Sequence, residues 1–257
     1  LARQAAEAGV QQLVEAGISI VGDISATGQS LAALNNARMN GIVYIELIGR
    51  RDEQVDSQLQ NVREFIEAWR PKLHSGLQLG LTPHTPYTVH PELWRKGLQY
   101  AREAELPLCV HVAESPAEIQ YMHDGTGSIR EYIYPDLPAL EPQGLTPVQY
   151  LEAIGALEQQ PLLVHGVQVS NADIALIKQY GCSVVHCPRS NIRLQCGRMP
   201  LEKYLAQDIP VLMGTDSLVS SPSLNVMDEV EFAVALHHGK VEPETILSLV
   251  HRVMPTR

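Results

Sequence analysis

Seven short apolar runs rich in β-branched residues recur along this chain, each closed by a polar or Gly/Pro cluster. They are Ile18–Ile24, Gly41–Ile48, Leu77–Pro83, Leu108–Glu114, Leu162–Gly166, Ser183–Cys187 and Val211–Asp216, and runs of this kind read as strands. Between them lie stretches with helical spacing, among them Val62–Trp69, Pro91–Glu105, Ala172–Tyr180, Leu201–Ala206 and Met227–Leu236, often opened by Ser, Asn, Asp or Pro. Strands that alternate with helices pair in parallel, so the fold class is α/β. The strands end in charged or imidazole residues at their carboxyl ends, which suits a (β/α)8 TIM barrel, where the active site is assembled at that face. A doubly wound open sheet competes, but no GxGxxG follows the first strand to support it. A barrel would need one more strand, most simply one before Leu1. Because the chain opens without Met inside the helical stretch Ala5–Ala16 and stops at Arg257 soon after another helix, residues 1–257 read as one barrel domain cut at both ends.

Successive strand starts at 18, 41, 77, 108, 162, 183 and 211 are 23, 36, 31, 54, 21 and 28 residues apart. Most intervals fit one strand and one helix; the interval of 54 signals an insertion. That insertion, Ser115 to Pro161, contains Asp124-Gly125-Thr126-Gly127 and Pro135-Asp136-Leu137-Pro138, the punctuation of loops. In a barrel it would overhang the active-site face as a lid, or else be a surface excursion without a role.

Composition narrows the partners. With 45% hydrophobic and 19% charged residues the chain reads as a water-soluble globule. Its formal net charge of −10 disfavours a surface that tracks nucleic-acid phosphates. No apolar run approaches the roughly 20 residues needed to span a bilayer, and Leu1-Ala2-Arg3-Gln4 lacks the apolar stretch of a secretion signal. The expectation is a cytoplasmic protein with a small-molecule substrate and no nucleic-acid or membrane partner; a homo-oligomer is compatible with it. Cys109, Cys182, Cys187 and Cys196 form no CxxC pair and read as reduced structural thiols.

Four of the ten histidines fall at strand ends or just beyond: His84, His111, His165 and His186. One such histidine alone is more often a hydrogen-bonded core residue, but several converging on one face suggest a metal or a polar reaction pocket. Glu114 lies three residues after His111, so in an extended strand the two face opposite ways. A strand that ends near Ala113 can turn Glu114 back over the mouth. Asp216 closes an apolar strand, where a buried carboxylate is costly unless paired or metal-bound; its bland alternative is a helix N-cap before Leu218. Two histidines and an aspartate on barrel strands suit Zn²⁺, with Fe²⁺ as the alternative. Such an ion lowers the pKa of bound water to about 7, and Glu114 could then shuttle protons to a leaving group.

At these residues the sequence resembles the amidohydrolase superfamily, in its nucleoside deaminase and chlorohydrolase branch. The match runs through Gly22-Asp23-Ile24-Ser25, Leu81-Thr82-Pro83-His84-Thr85-Pro86-Tyr87-Thr88, His111-Val112-Ala113-Glu114, Val164-His165-Gly166-Val167, His186-Cys187-Pro188-Arg189-Ser190-Asn191 and Gly214-Thr215-Asp216-Ser217. Methylthioadenosine/S-adenosylhomocysteine deaminases belong to this branch, and Ser183–Leu194 with Leu224-Asn225-Val226 looks closest to aminofutalosine deaminase-like members. The resemblance implies one divalent metal with His111 and Asp216 among its ligands. It implies catalysis by Glu114, His165 and Asp216: Glu114 protonates the substrate ring nitrogen, and Asp216 takes a proton from the attacking water. His165 hydrogen-bonds metal-bound water in mononuclear members and is itself a ligand in binuclear ones. His84 and His186 match substrate-facing positions, as does Glu114.

The chain departs from the pattern in one respect. The family's first strand carries an H-x-H pair that supplies two further ligands, and no two histidines here are separated by one residue. The family's small β-sandwich, built from segments flanking the barrel, is expected to be absent too. The function implied is hydrolytic deamination of an amino-purine nucleoside or related heteroaromatic amine, with release of ammonia. The alternatives are a chlorohydrolase acting on a heteroaromatic ring and a catalytically silent barrel.

Overall fold

The computed structural model describes residues 2–137 and 144–251. It places seven strands at β1 (Ile20–Ser25), β2 (Asn40–Leu47), β3 (Leu77–Pro83), β4 (Cys109–Val112), β5 (Leu162–His165), β6 (Ser183–His186) and β7 (Val211–Met213). Each coincides with one of the seven apolar runs. The helices are α1 (Ala2–Glu15), α2 (Gln29–Asn36), α3 (Val55–Trp69), α4 (Pro91–Glu103), α5 (Pro116–Asp124), α6 (Pro147–Ala153), α7 (Asn171–Gln179), α8 (Pro188–Arg193), α9 (Leu201–Ala206), α10 (Val226–Leu236) and α11 (Pro243–Ser248). The chain divides into two compact units, Leu1–Val110 and His111–Arg257.

In the first unit β1, β2 and β3 form a parallel sheet in sequence order. The central strand β2 is buried along Ile42–Ile45, as a parallel strand covered on both faces must be. Two glycines set its spacing. A Cβ on Gly41 would lie 1.9 Å from the Val21 carbonyl oxygen, and Gly41 has φ +131, so only glycine fits beside β1. Tyr44, only 2% exposed, lies in register with Gly80, where a Cβ would come within 2.5 Å of its ring.

In the second sheet the order is β4-β5-β6-β7, with β5–β6 and β6–β7 parallel. The insertion between β4 and β5 is not an irregular excursion. It carries α5, a π-helical turn at Ile129–Ile133, α6 and a 3₁₀ turn at Leu157–Gln159. Asp124 to Gly127 ends α5, with Gly125 at φ +72 as its left-handed cap. In the other predicted loop motif, Pro138 lies outside the described residues. The start of α5 follows from Ser115-Pro116-Ala117-Glu118: Ser115 caps the Glu118 N–H and Pro116 occupies the first turn. All four cysteines are buried free thiols. Among the described residues no helix is long and apolar enough to cross a membrane.

Candidate active site

Strands β4, β5 and β6 end in or beside His111, His165 and His186, all residues of the second unit, and Asp216 follows β7 by three residues. The backbone turns sharply where these strands stop: Ala113 has φ +50, His165 φ +74 and Asp216 φ +57, all left-handed and all non-glycine. Each such residue costs on the order of 1 kcal/mol or more, and they cluster where surroundings hold a functional geometry in place.

The turn at Ala113 is held by Glu118 of α5. One carboxylate oxygen accepts the Ala113 N–H at 2.9 Å and the other the Glu114 N–H at 2.7 Å. Glu118 is itself buried, which pushes its carboxyl up to about 8 against the hydrogen bonds it accepts. Glu114 is thereby aimed with Oε1 3.5 Å from His165 Nε2 and 3.8 Å from the Cys196 thiol, which donates to it. Burial raises the Glu114 carboxyl, with the nearby Asp216 carboxylate adding to the rise and His111 opposing it.

His165 is 2% exposed and its ring stacks on His111 at 5.5 Å between centroids. Its Nδ1 lies 2.9 Å from Asn191 Oδ1. A carbonyl oxygen only accepts, so Nδ1 carries the proton and Nε2 is left as the acceptor facing Glu114. Burial holds His165 below the ordinary histidine range. Burial thus raises the carboxyl and lowers the imidazole, and both shifts weaken an ion pair between them.

Asp216 is the charged member. Burial alone would raise its carboxyl, but the hydrogen bond from Ser190 at 2.5 Å, the His165 ring and a second bond from Ser220 at 2.8 Å hold it below the usual aspartate range. No helix begins at Leu218, so Asp216 is not a helix cap.

Both Asn191 and Ser190 come from α8, and Arg189 fastens that helix. Its Nε donates to Glu229 Oε1 of α10 at 2.7 Å, its backbone N–H to Glu229 Oε2 at 3.1 Å, and Nη2 to the Ser223 hydroxyl at 3.1 Å. The Glu229 side chain is fully buried. The orientation of His165 and Asp216 thus rests on an ion pair between two helices.

Five of the expected residues, His111, Glu114, His165, His186 and Asp216, belong to this unit. His84 lies in the first unit, with Nδ1 2.9 Å from the Thr88 hydroxyl and Nε2 4.0 Å from Glu46. His186 is fully buried and bonded to His237 at 3.0 Å. Glu118, Cys196, Ser220 and His237 carried no motif in the sequence. For Glu118 a signal existed: Ser115-x-x-Glu118 ahead of an apolar helix has the capping-box spacing, although this glutamate reaches the strand end instead of its own cap.

Among the described residues no three His, Cys, Asp or Glu side chains stand close enough together to hold a metal ion. His111 and Asp216 have the donor chemistry for a borderline divalent cation, yet they do not by themselves complete a shell.

Parallel strands alternating with helices, and a polar cluster gathered where the strands of the second unit end, define an α/β enzyme class. The chain belongs to the amidohydrolase family, whose model matches residues 1–250. It is 38% identical over 256 residues to an aminodeoxyfutalosine deaminase of Deinococcus radiodurans, covering 95% of this chain and 60% of that protein. A 5-methylthioadenosine/S-adenosylhomocysteine deaminase of Carboxydothermus hydrogenoformans is 26% identical over 250 residues, covering 96% of this chain and 54% of the other. The chain therefore spans little more than half the length of these relatives. Among solved structures, an adenosine deaminase from Xanthomonas campestris with bound zinc superposes with a TM-score of 0.75 at 22% identity, covering 91% of this chain and 50% of that one. This likeness is one of fold.

Proposed function

We propose that this chain is the catalytic part of a hydrolytic deaminase acting on an amino-purine nucleoside, and that Glu114, His165 and Asp216 do the proton chemistry. The observation that carries the reading is the placing, beside buried His165, of two carboxyls whose proton affinities are driven in opposite directions. Burial raises the Glu114 carboxyl, while the hydrogen bonds from Ser190 and Ser220 help to hold Asp216 below the usual aspartate range. Neighbouring groups whose affinities for a proton are driven apart divide general acid from general base.

In deamination water adds to the amine-bearing carbon and ammonia leaves. Glu114 gives its proton to the ring nitrogen as that carbon becomes tetrahedral, so that no negative charge builds on the ring. Asp216 takes a proton from the attacking water and passes it to the amine, which leaves as ammonia, while the new hydroxyl returns its proton to Glu114 as the carbonyl forms. His165, fixed by Asn191 with Nε2 as an acceptor, orients the attacking water or the acid. A divalent cation, zinc as in the Xanthomonas structure, would supply activation of that water, with His111 and Asp216 as the donors this chain offers. Two donors do not make a site, and the proton transfers above involve only residues that are present. His186 is read as a substrate-binding residue. The 38% identity to an aminodeoxyfutalosine deaminase favours a substituted adenosine-type substrate over a chlorinated ring.

The test is Glu114→Gln in the intact protein, with ammonia release from 5′-substituted adenosines and chloride release from a chlorinated heterocycle measured in parallel. The amide keeps the shape but carries no transferable proton, so ammonia release is expected to fall by roughly 10² to 10⁴-fold with the melting curve little changed. Ammonia release within about threefold of the parent would give the acid's role to another residue.

A further inference from the structure

Behind His186 lies a chain of hydrogen bonds that the deaminase reading leaves unused. His186 Nε2 is 3.0 Å from His237 Nε2, with the rings edge to face, and His237 Nδ1 is 2.9 Å from Arg198 Nη1. Arg198 is anchored on Glu202 of α9 by two bonds of 2.7 Å, and Lys240 stands 3.5 Å from the same carboxylate. Both imidazoles are buried. His186 Nδ1 is also buried and has no hydrogen-bond partner among the described residues.

The direction of these bonds is not free. A guanidinium has donors only, so His237 Nδ1 must be the acceptor. Burial and the adjacent Arg198 cation both push His237 down, to about 4, and burial pushes His186 well below its ordinary range, so each ring carries a single proton. With Nδ1 accepting, the His237 proton sits on Nε2 and is donated to His186 Nε2. The His186 proton is then forced onto Nδ1. The reverse order would set an imidazole N–H against a guanidinium N–H. One arginine therefore fixes the tautomers of two histidines and leaves an uncharged N–H donor, buried and unsatisfied, at the end of β6.

We propose that Arg198, acting through His237, is a positioning residue that locks buried His186 in its Nδ1–H tautomer. The lock does not rest on the deaminase reading.

Long-range ¹H–¹⁵N correlation spectra of the intact, ¹⁵N-histidine-labelled protein report each ring's tautomer directly, with His186→Gln and His237→Gln used to assign the two signals. His186 is expected as the Nδ1–H form and His237 as the Nε2–H form. In Arg198→Met, which keeps the stem and loses the donors, both signals are expected to shift to the opposite or a mixed tautomer. Arg198→Lys, which restores a donor, should return them. An Nε2–H tautomer at His186 in the parent protein would overturn the lock even if the variant failed to fold, as would spectra indifferent to Arg198→Met. The expected tautomers in a protein that releases no ammonia would support the lock and refute the deaminase reading instead.

Discussion

Replacing Glu118 by Gln should weaken the fold most in mildly acidic solution and least in mildly alkaline solution. The parent carboxyl offers one oxygen to Ala113 N–H and the other to Glu114 N–H. An amide offers only one oxygen, so one buried N–H is set against an NH₂ group, at a cost of about 1–3 kcal/mol. On this is laid a dependence on pH. The folded carboxyl titrates near 8, whereas the ordinary value is 4.5. Below the ordinary value both folded and unfolded chains hold the proton. As pH rises from there toward 8 only the folded state keeps it, so stability falls across that window, by a few kcal/mol at the limit of full burial. Glutamine has no proton to lose, so its penalty relative to the parent should shrink from pH 5 to pH 8. Urea midpoints for both proteins at pH 5, 6.5 and 8, followed by circular dichroism, would measure this. A penalty that stays constant or grows with pH would show that Glu118 is ionised in the folded protein and that the two N–H bonds outweigh its burial.

Arg189→Met should leave the fully buried Glu229 carboxylate unpaired and cost about 3–5 kcal/mol, seen as a melting temperature lower by roughly 6 °C or more; Arg189→Lys should recover little of it, because an ammonium cannot make the same fork. Gly41→Ala drives a methyl into the Val21 carbonyl, so amide hydrogen exchange should accelerate along β1 and β2 while the strands β5 to β7 keep their protection.

The fold was largely legible because its strands are short, apolar and separately punctuated; each of the seven runs became a strand within a few residues of its expected ends. Periodicity of that kind is a local property, and the residues that build the site are joined by contacts that are not local. Arg189 and Glu229 are forty positions apart, and Arg198 meets His237 across thirty-nine. Nothing in either segment advertises its partner. Within the insertion, Asp124 to Gly127 reads as loop because it marks where α5 stops, and α5 itself is too short to show a strong period. Glu118 looks like any acidic residue in a first helical turn; only burial distinguishes it. His111, Glu114, His165 and Asp216 could be singled out because strand ends are where polar side chains interrupt an apolar run.

The three left-handed residues at the mouth of the second unit also bear on how this protein can change. Ala113, His165 and Asp216 occupy backbone conformations that Gly, Asn, Asp and His enter far more readily than β-branched side chains do. A mutational library opened at those positions would be depleted of Val, Ile and Thr before any selection for activity began. Variation that retunes the pocket without unfolding it has to come from helical positions that look onto the same space, such as those of α5 and α8, where the backbone places no such filter. New specificities in this scaffold should therefore arise by exchange of side chains on helices, with the strand ends passed on unaltered.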